Sequence, residues 1–239
     1  MFEIKRPGLS GSTLKLIAII TMFIDHSAAT VIPALKKLPS IQADPELIRQ
    51  LTRLYTLMRK VGRLAFPIFC FLLVEGFVHT RSVRKYAQRM LLFALISEFA
   101  FDFALKTGWF FPGKQNVYWT LLIGLLVLWG MAEAFGMPVI QIAICAAGLL
   151  AADLLKTDYS YKGVFLIEIL YFFRCTRLYQ CLAGAAAISW EAFAPFAFIP
   201  VFFYNGKRGL NLKYFFYWFY PAHLILLGIL SKMIIPQFA

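Results

Sequence analysis

The chain has 239 residues, of which 61% are hydrophobic, 17% aromatic and only 15% charged, and its mean hydropathy is +0.71. Soluble domains carry roughly 25% charged residues, so this composition excludes a water-soluble globular protein, a disordered tail and a disulfide scaffold. The 24 basic and 12 acidic side chains give a net charge of +12. In so apolar a chain the basic excess indicates membrane topology and contact with anionic headgroups, and it argues against a nucleic-acid partner.

The first apolar run covers residues 14–35. It is longer than the apolar core of a signal peptide, contains Lys15, Asp25 and His26, and lacks a small-residue cleavage site. A transmembrane helix needs about 20 apolar residues, so we interpret this run as the first such helix.

The polar segment 36–60 follows and is predicted to lie at the membrane surface. Its part from Pro45 to Lys60 is predicted to be a helix, because four apolar residues recur there at helical spacing: Leu47, Leu51, Leu54 and Met58.

Seven further apolar runs cover residues 61–79, 86–106, 117–135, 137–156, 163–174, 178–204 and 214–235. The run 163–174 is short, and the run 178–204 is interrupted by Glu191 and Pro195, so these two form either one helix each or three shorter helices. We therefore predict one all-α domain over residues 1–239, a polytopic integral membrane bundle of eight or nine transmembrane helices.

Ionisable side chains inside apolar runs are costly in a bilayer, which makes them candidates for function. Lys15 and His26 are separated by three helical turns plus about 20°, so both lie on one helix face, about 16 Å apart along the axis. Asp25 points about 100° away from His26, and we expect it to pair with an arginine of another helix, Arg63. The alternative is that Lys15 extends to headgroups and His26 is a hydrogen-bonded packing residue.

Carboxylates recur in the next two runs. Glu75 lies about three turns inside its run, where it needs a partner or a proton. Glu98 and Asp102 are four residues apart on one helix face. Such a pair divides acid and base roles, binds a cation, or neutralises an arginine such as Arg63 or Arg89.

Polar residues also mark the fourth run and the last. Asn116 offers hydrogen bonds at the start of the fourth run, and Tyr220 and His223 flank a proline in the last. The motifs GxGxxG, P-loop, HExxH, GxSxG and CxxC are missing from the sequence, which argues against the motif-bearing hydrolases. The four cysteines have no metal-ligand spacing, so we predict no metal site and interpret them as buried apolar residues: Cys70, Cys145, Cys175 and Cys181.

Three strings of this sequence, in this order, resemble the TraX family: TLKLIAIITMFIDH in the first run, GRLAFPIF followed by LLVEG in the second, and YPAHLILLGIL near the C-terminus. That family contains the conjugation protein that acetylates the N-terminus of F-type pilin. The spacing of Lys15 and His26 also resembles the Arg/Lys-x10-His signature of the wider transmembrane acyltransferases. Those enzymes move acyl groups from donors such as acetyl-CoA to sugars, lipids or amines, and this chain is shorter than their ten-span members.

The resemblance implies an acetyltransferase of the inner (cytoplasmic) membrane, multi-pass and in contact with membrane lipids, that uses acetyl-CoA as its acyl donor. The acceptor is expected to be pilin, another peptide or a sugar. His26 is expected to be the general base, since a neutral imidazole can take the proton of an attacking amine or hydroxyl. Asp25 and Glu75 are further candidate catalytic residues.

The remaining candidates fall into two groups. Cations and one hydrogen-bond donor are expected to hold the CoA phosphates and the developing oxyanion: Lys15, Arg63, Arg59, Arg81 and Asn116. A polar inner shell is expected from Glu98, Asp102, His223 and Tyr220. Two rival functions stay open from the residues alone, a proton- or cation-coupled transporter and a non-catalytic membrane partner of a conjugation or secretion complex. The internal repeats and paired helix breaks typical of transporters are not found.

Overall fold

The computed structural model describes residues 8–106, 108 and 110–238, so the ends of the predicted domain, residues 1–7 and 239, lie outside it. These described residues form helices and no strand. The α-helices are α1 (Gly11–Leu35), α2 (Pro39–Gln42), α3 (Pro45–Gly62), α4 (Ala65–His79), α5 (Val83–Leu105), α6 (Val117–Glu133), α7 (Pro138–Leu154), α8 (Ser160–Phe172), α9 (Arg177–Ala187), α10 (Phe198–Phe202) and α11 (Lys213–Ile229). A 3₁₀ helix (Ala194–Ala197) precedes α10, and a π-helical turn (Leu230–Ile234) and a 3₁₀ turn (Ile235–Phe238) extend α11.

Three stretches are long and apolar enough to cross a membrane: Gly11–Leu35, Pro45–His79 and Tyr214–Phe238. Two shorter apolar helices are Val117–Glu133 and Pro138–Leu154. With the exposed apolar side chains on the outside of the bundle, such as Ile142, Leu150 and Phe165, these stretches identify a helical membrane protein, in agreement with the predicted class.

The first turn of α1 is held by the segment before α11. Ser10 caps the helix, its Oγ accepting the N–H of Thr13 at 3.2 Å. The N–H groups of Gly11 and Ser12 donate to the carbonyls of Lys207 and Arg208 at 2.8 and 2.9 Å. The first N–H groups of a helix have no partner within it, so these contacts fix where α1 begins and bring Arg208 close to its N-terminal end.

The helix predicted from Pro45 to Lys60 is present as α3 and extends to Gly62. Asp44 caps it by accepting the N–H groups of Glu46 and Leu47, and Pro45 occupies the first turn. Leu54, one of the four apolar residues that predicted the helix, is 46% exposed. At its C-terminal end the helix lies very close to α1, where Gly62 contacts Asp25.

The two ambiguous apolar runs are interrupted as Glu191 and Pro195 suggested. They form α8, α9 and the short pair made by the 3₁₀ helix and α10. Of the four cysteines, Cys70 and Cys181 are buried and Cys145 is half-buried, but Cys175 is exposed. The interpretation of Cys175 as a buried residue was wrong, because it lies in the turn between α8 and α9 rather than inside a helix.

The helices that matter for the site pack around α1. This helix contacts α3, α4 and α11, and α5 packs against α6 and α11. Two buried apolar clusters result, one centred on α4, α6 and α8 and one on α1, α5 and α11. The cavities described next lie between these helices.

Candidate functional site

Two cavities lie end to end along the bundle. The His26 cavity, about 280 Å³ in volume, is lined by Asp25, His26, Arg59, Arg63, Tyr159 and Tyr220, among others. The Lys15 cavity, about 740 Å³ in volume, is lined by Lys15, Glu75, Arg81, Arg89, Arg208 and Tyr217, among others. Lys15 and His26, which lie on the predicted common face of α1 about 16 Å apart along its axis, therefore line one cavity each.

A chain of hydrogen bonds orients His26. Nδ1 of His26 lies 2.7 Å from Nε2 of His223, and Nδ1 of His223 lies 2.6 Å from the carbonyl oxygen of Phe219. A carbonyl oxygen only accepts, so His223 donates through Nδ1 and its Nε2 is an acceptor. His26 must then donate through Nδ1, which leaves the lone pair on its Nε2.

The two imidazoles are also stacked. Their ring centroids are 5.0 Å apart at an interplanar angle of 10°, and Tyr220 meets both rings edge-on at 5.9 and 5.8 Å. His223 is only 4% exposed and Tyr220 only 3%, so packing holds the pair in one orientation. His223 and Tyr220, both expected in a polar inner shell, thus lie directly against His26.

The charges next to His26 are paired. Asp25 accepts a hydrogen bond from Arg59 and lies 3.4 Å from Arg63, which confirms the expected partner Arg63 and adds a second. Arg63 also reaches Glu191 at 3.3 Å. Gly62 makes this network possible, because a Cβ on it would lie 2.2 Å from Cβ of Asp25. Asp25, a candidate catalytic residue, is engaged with arginines rather than with His26.

Glu75 does not lie at His26. It lines the Lys15 cavity and pairs with Arg177 of α9 at 3.4 Å. The reason is the direction of α4, which runs away from the His26 cavity: Glu75 is about three turns further along it than Ala65, which lines that cavity. Lys15 and Arg81 line the same cavity as Glu75.

Three predicted polar residues line neither cavity and instead hold the start of α6 or the connection before it. Asn116 caps α6 by accepting the N–H of Tyr118 at 2.9 Å, and its amide donates to the carbonyl of Ala94 at 2.8 Å and to Glu98 at 2.5 Å. Asp102, 1% exposed, accepts the N–H of Phe111 at 2.6 Å. Asn116, Glu98 and Asp102 thus bind backbone groups, and Asn116 also binds Glu98, so in this structure they hold neighbouring segments together rather than line either cavity.

The structure also brings in residues that the sequence did not single out. Tyr159, in the turn before α8, stacks on Phe66 with ring centroids 3.5 Å apart and lines the His26 cavity. Burial raises the pKa of the Tyr159 phenol, so it stays a neutral hydroxyl. Asp158 beside it pairs with Lys114 at 2.7 Å. These residues lie in polar connections, where nothing in the hydrophobic pattern distinguishes a site residue from a solvated one.

Comparisons with known proteins agree with the resemblance seen in the sequence. The family described as "TraX protein" matches residues 10–231. The chain is also 30% identical over 255 aligned positions to the "Probable fimbrial assembly protein FimC, serogroup H1" of Dichelobacter nodosus, a match that covers 91% of this chain and 94% of that protein. No solved structure matches the chain. The chain belongs to the TraX family.

Proposed function

We propose that this protein is an integral-membrane acyltransferase that moves an acetyl group from acetyl-CoA to an amine or hydroxyl acceptor, with His26 as the general base. The observation that carries the proposal is the hydrogen-bond chain from His26 through His223 to the Phe219 carbonyl. It leaves a basic nitrogen on a ring that lines a cavity, the arrangement that a general base requires.

The proposed reaction needs one proton acceptor and one proton donor, and His26 serves as both. The acceptor nitrogen or oxygen attacks the thioester carbon, its proton passes to Nε2 of His26, and a C–N or C–O bond forms as the C–S bond breaks. His26 then returns the proton to the departing sulfur. The products are the acetylated acceptor and the free thiol of CoA, so atoms and charge balance.

The charged side chains that line the two cavities suit different substrates. In the lining of the His26 cavity, four cations face three carboxylates. Arg59 and Arg63 pair with Asp25 and Glu191, and Lys114 pairs with Asp158. The Lys15 cavity has four cationic side chains in its lining, Lys15, Arg81, Arg89 and Arg208, and one carboxylate, Glu75, which pairs with Arg177. Nε of Arg89 is buried there without a hydrogen-bond partner among the described residues. A donor with several phosphate charges therefore fits the Lys15 cavity, and Arg59 and Arg63 are better suited to positioning than to phosphate binding.

The acceptor is proposed from chemistry and from one relative. The polar side chains of the His26 cavity and its exposed Trp190 suit a polar acceptor that enters from the opposite end to the donor. A relative named as a fimbrial assembly protein supports an acceptor in a pilus or fimbria, such as the N-terminus of a pilin subunit. A small peptide or a sugar offers the same nucleophiles.

The membrane arrangement is part of the proposal. We propose that the chain crosses the inner membrane eight or nine times, with the long stretches Gly11–Leu35, Pro45–His79 and Tyr214–Phe238 and the shorter apolar helices as supports. Placing Lys15 and His26 at different depths would let donor and acceptor approach from different sides.

The test is acetyl transfer by the purified protein in detergent, with labelled acetyl-CoA and a panel of amine and hydroxyl acceptors. The variant His26→Asn keeps a side-chain amide that can donate to His223 but cannot take a proton. We expect it to bind acetyl-CoA normally and to lose transfer by about 10²- to 10⁴-fold. Transfer at the wild-type rate would exclude His26 as the base, and a wild type that neither binds nor uses acetyl-CoA would exclude the enzyme.

A further inference from the structure

One side chain, Phe69 of α4, lines both cavities among the described residues 8–106, 108 and 110–238. The cavities follow one another in register along five helices. Along α1, α5 and α11 the residues of the Lys15 cavity come first: Lys15 precedes His26, Arg89 precedes Phe101, and Tyr217 precedes Tyr220. Along α4 and α6 the residues of the His26 cavity come first: Phe66 precedes Leu73, and Val117 precedes Leu121. The two spaces are thus two parts of one path along the bundle, and they meet at Phe69.

The junction is apolar and closely packed. On α1, Ile19 and Met22 lie between Lys15 and His26 on the same face and are 3% and 7% exposed. Phe69 packs against the buried cluster that contains them and also against the cluster centred on α4, α6 and α8. The two cavities are therefore separated by a few side chains rather than by backbone, and Phe69 is the half-buried aromatic ring among them.

We infer that Phe69 is a positioning residue that sets the width of the passage through which the acyl-bearing arm of the donor reaches His26. This inference rests on the proposed function, in which the phosphates of the donor occupy the Lys15 cavity. The acetyl group must then travel about 16 Å along α1 to reach the base. A Phe side chain turns about two torsions, so rotation of one ring opens or closes the junction while the helices stay in place.

The experiment compares two acetyl donors in three variants. One donor is acetyl-CoA, and the other is S-acetyl-N-acetylcysteamine, a small thioester without nucleotide or phosphate. The small thioester can enter the His26 cavity by its own opening, where the Lys114 side chain is 43% exposed and Trp190 41% exposed. The variants are Phe69→Trp, which narrows the junction, Phe69→Leu, which widens it, and Phe165→Trp on the outer face as the matched control.

We expect Phe69→Trp to lower kcat/KM for acetyl-CoA by about tenfold or more, equivalent to about 1.4 kcal/mol, and to leave transfer from the small thioester unchanged. Phe69→Leu and Phe165→Trp are expected to keep transfer from acetyl-CoA at or above the wild-type rate. An equal loss with both donors, no loss with acetyl-CoA, or a loss in Phe69→Leu as large as in Phe69→Trp would overturn the role of Phe69. A wild type inactive with either donor would instead overturn the proposed function.

Discussion

Replacing His223 by leucine tests whether a second histidine sets the protonation of the base. His223 is 4% exposed, and its Nε2 lies 2.7 Å from Nδ1 of His26. Leucine fills a similar space but accepts no hydrogen bond. The substitution therefore leaves the Nδ1–H of His26 without its acceptor, in a place from which water is largely excluded.

The size of the effect follows from that lost contact. A buried donor without a partner costs about 1–3 kcal/mol. His26 can avoid this cost by moving its proton to Nε2, but that removes the lone pair that the reaction uses. Since about 1.4 kcal/mol corresponds to a factor of ten, we expect kcat to fall roughly 5- to 150-fold. In His223→Gln the amide oxygen can reach the former position of Nε2, so that variant should stay within a few-fold of wild type.

The direct assay is nitrogen NMR of the imidazole rings in detergent micelles, since the tautomers of histidine have different nitrogen shifts. The chain contains only three histidines, and His26→Asn identifies the signal of His26. We expect wild-type His26 to be neutral with its proton on Nδ1, His223→Gln to preserve that tautomer, and His223→Leu to shift it toward Nε2–H. Rates of acetyl transfer are measured on the same samples.

Two outcomes contradict this reasoning. A wild-type His26 that carries its proton on Nε2 would mean that the hydrogen-bond chain does not run from His26 to Phe219. An unchanged tautomer and rate in His223→Leu would mean that His223 packs against the base without orienting it.

Two further predictions concern the packing around Asp25 and the charge of the Lys15 cavity. Gly62→Ala should lower the thermal stability in detergent by about 1–3 kcal/mol, because its Cβ would lie 2.2 Å from Cβ of Asp25. Gly130→Ala should cost less than Gly62→Ala, since its Cβ would meet only the Ile144 side chain at 3.2 Å, which needs to shift by no more than a few tenths of an ångström. Arg208→Glu should raise the KM for acetyl-CoA, whereas Lys207→Glu, the same charge change one residue outside the cavity lining, should not; equal effects would place the donor elsewhere.

The geometry of a single helix was enough to predict two features of the site. The common face of Lys15 and His26 follows from the helix period alone, and the outward turn of Asp25 predicted an arginine partner. Arg63 is that partner at 3.4 Å. The second arginine, Arg59, was expected to bind phosphate, but α3 packs so closely on α1 that it reaches Asp25 as well.

The positions of other predicted site residues depended on how the helices pack. Glu75 is a candidate catalytic residue in the sequence because a carboxylate deep in an apolar run needs a partner or a proton. It has one, but the partner is Arg177 of α9, 102 positions along the chain, at the other end of the path. Asn116 is expected from the sequence to donate to a substrate. In the structure its side-chain oxygen caps α6 by accepting the N–H of Tyr118, and its amide group donates to Glu98.

The sequence by itself determined the membrane class, the run of apolar helices and the helix face shared by Lys15 and His26, because hydropathy and the 3.6-residue period act over a few turns of chain. Only the tertiary structure decided that His223, 197 positions from His26, is its hydrogen-bond partner, and that two cavities meet at Phe69. Contacts between distant helices depend on the packing of many side chains at once, and no local spacing encodes them.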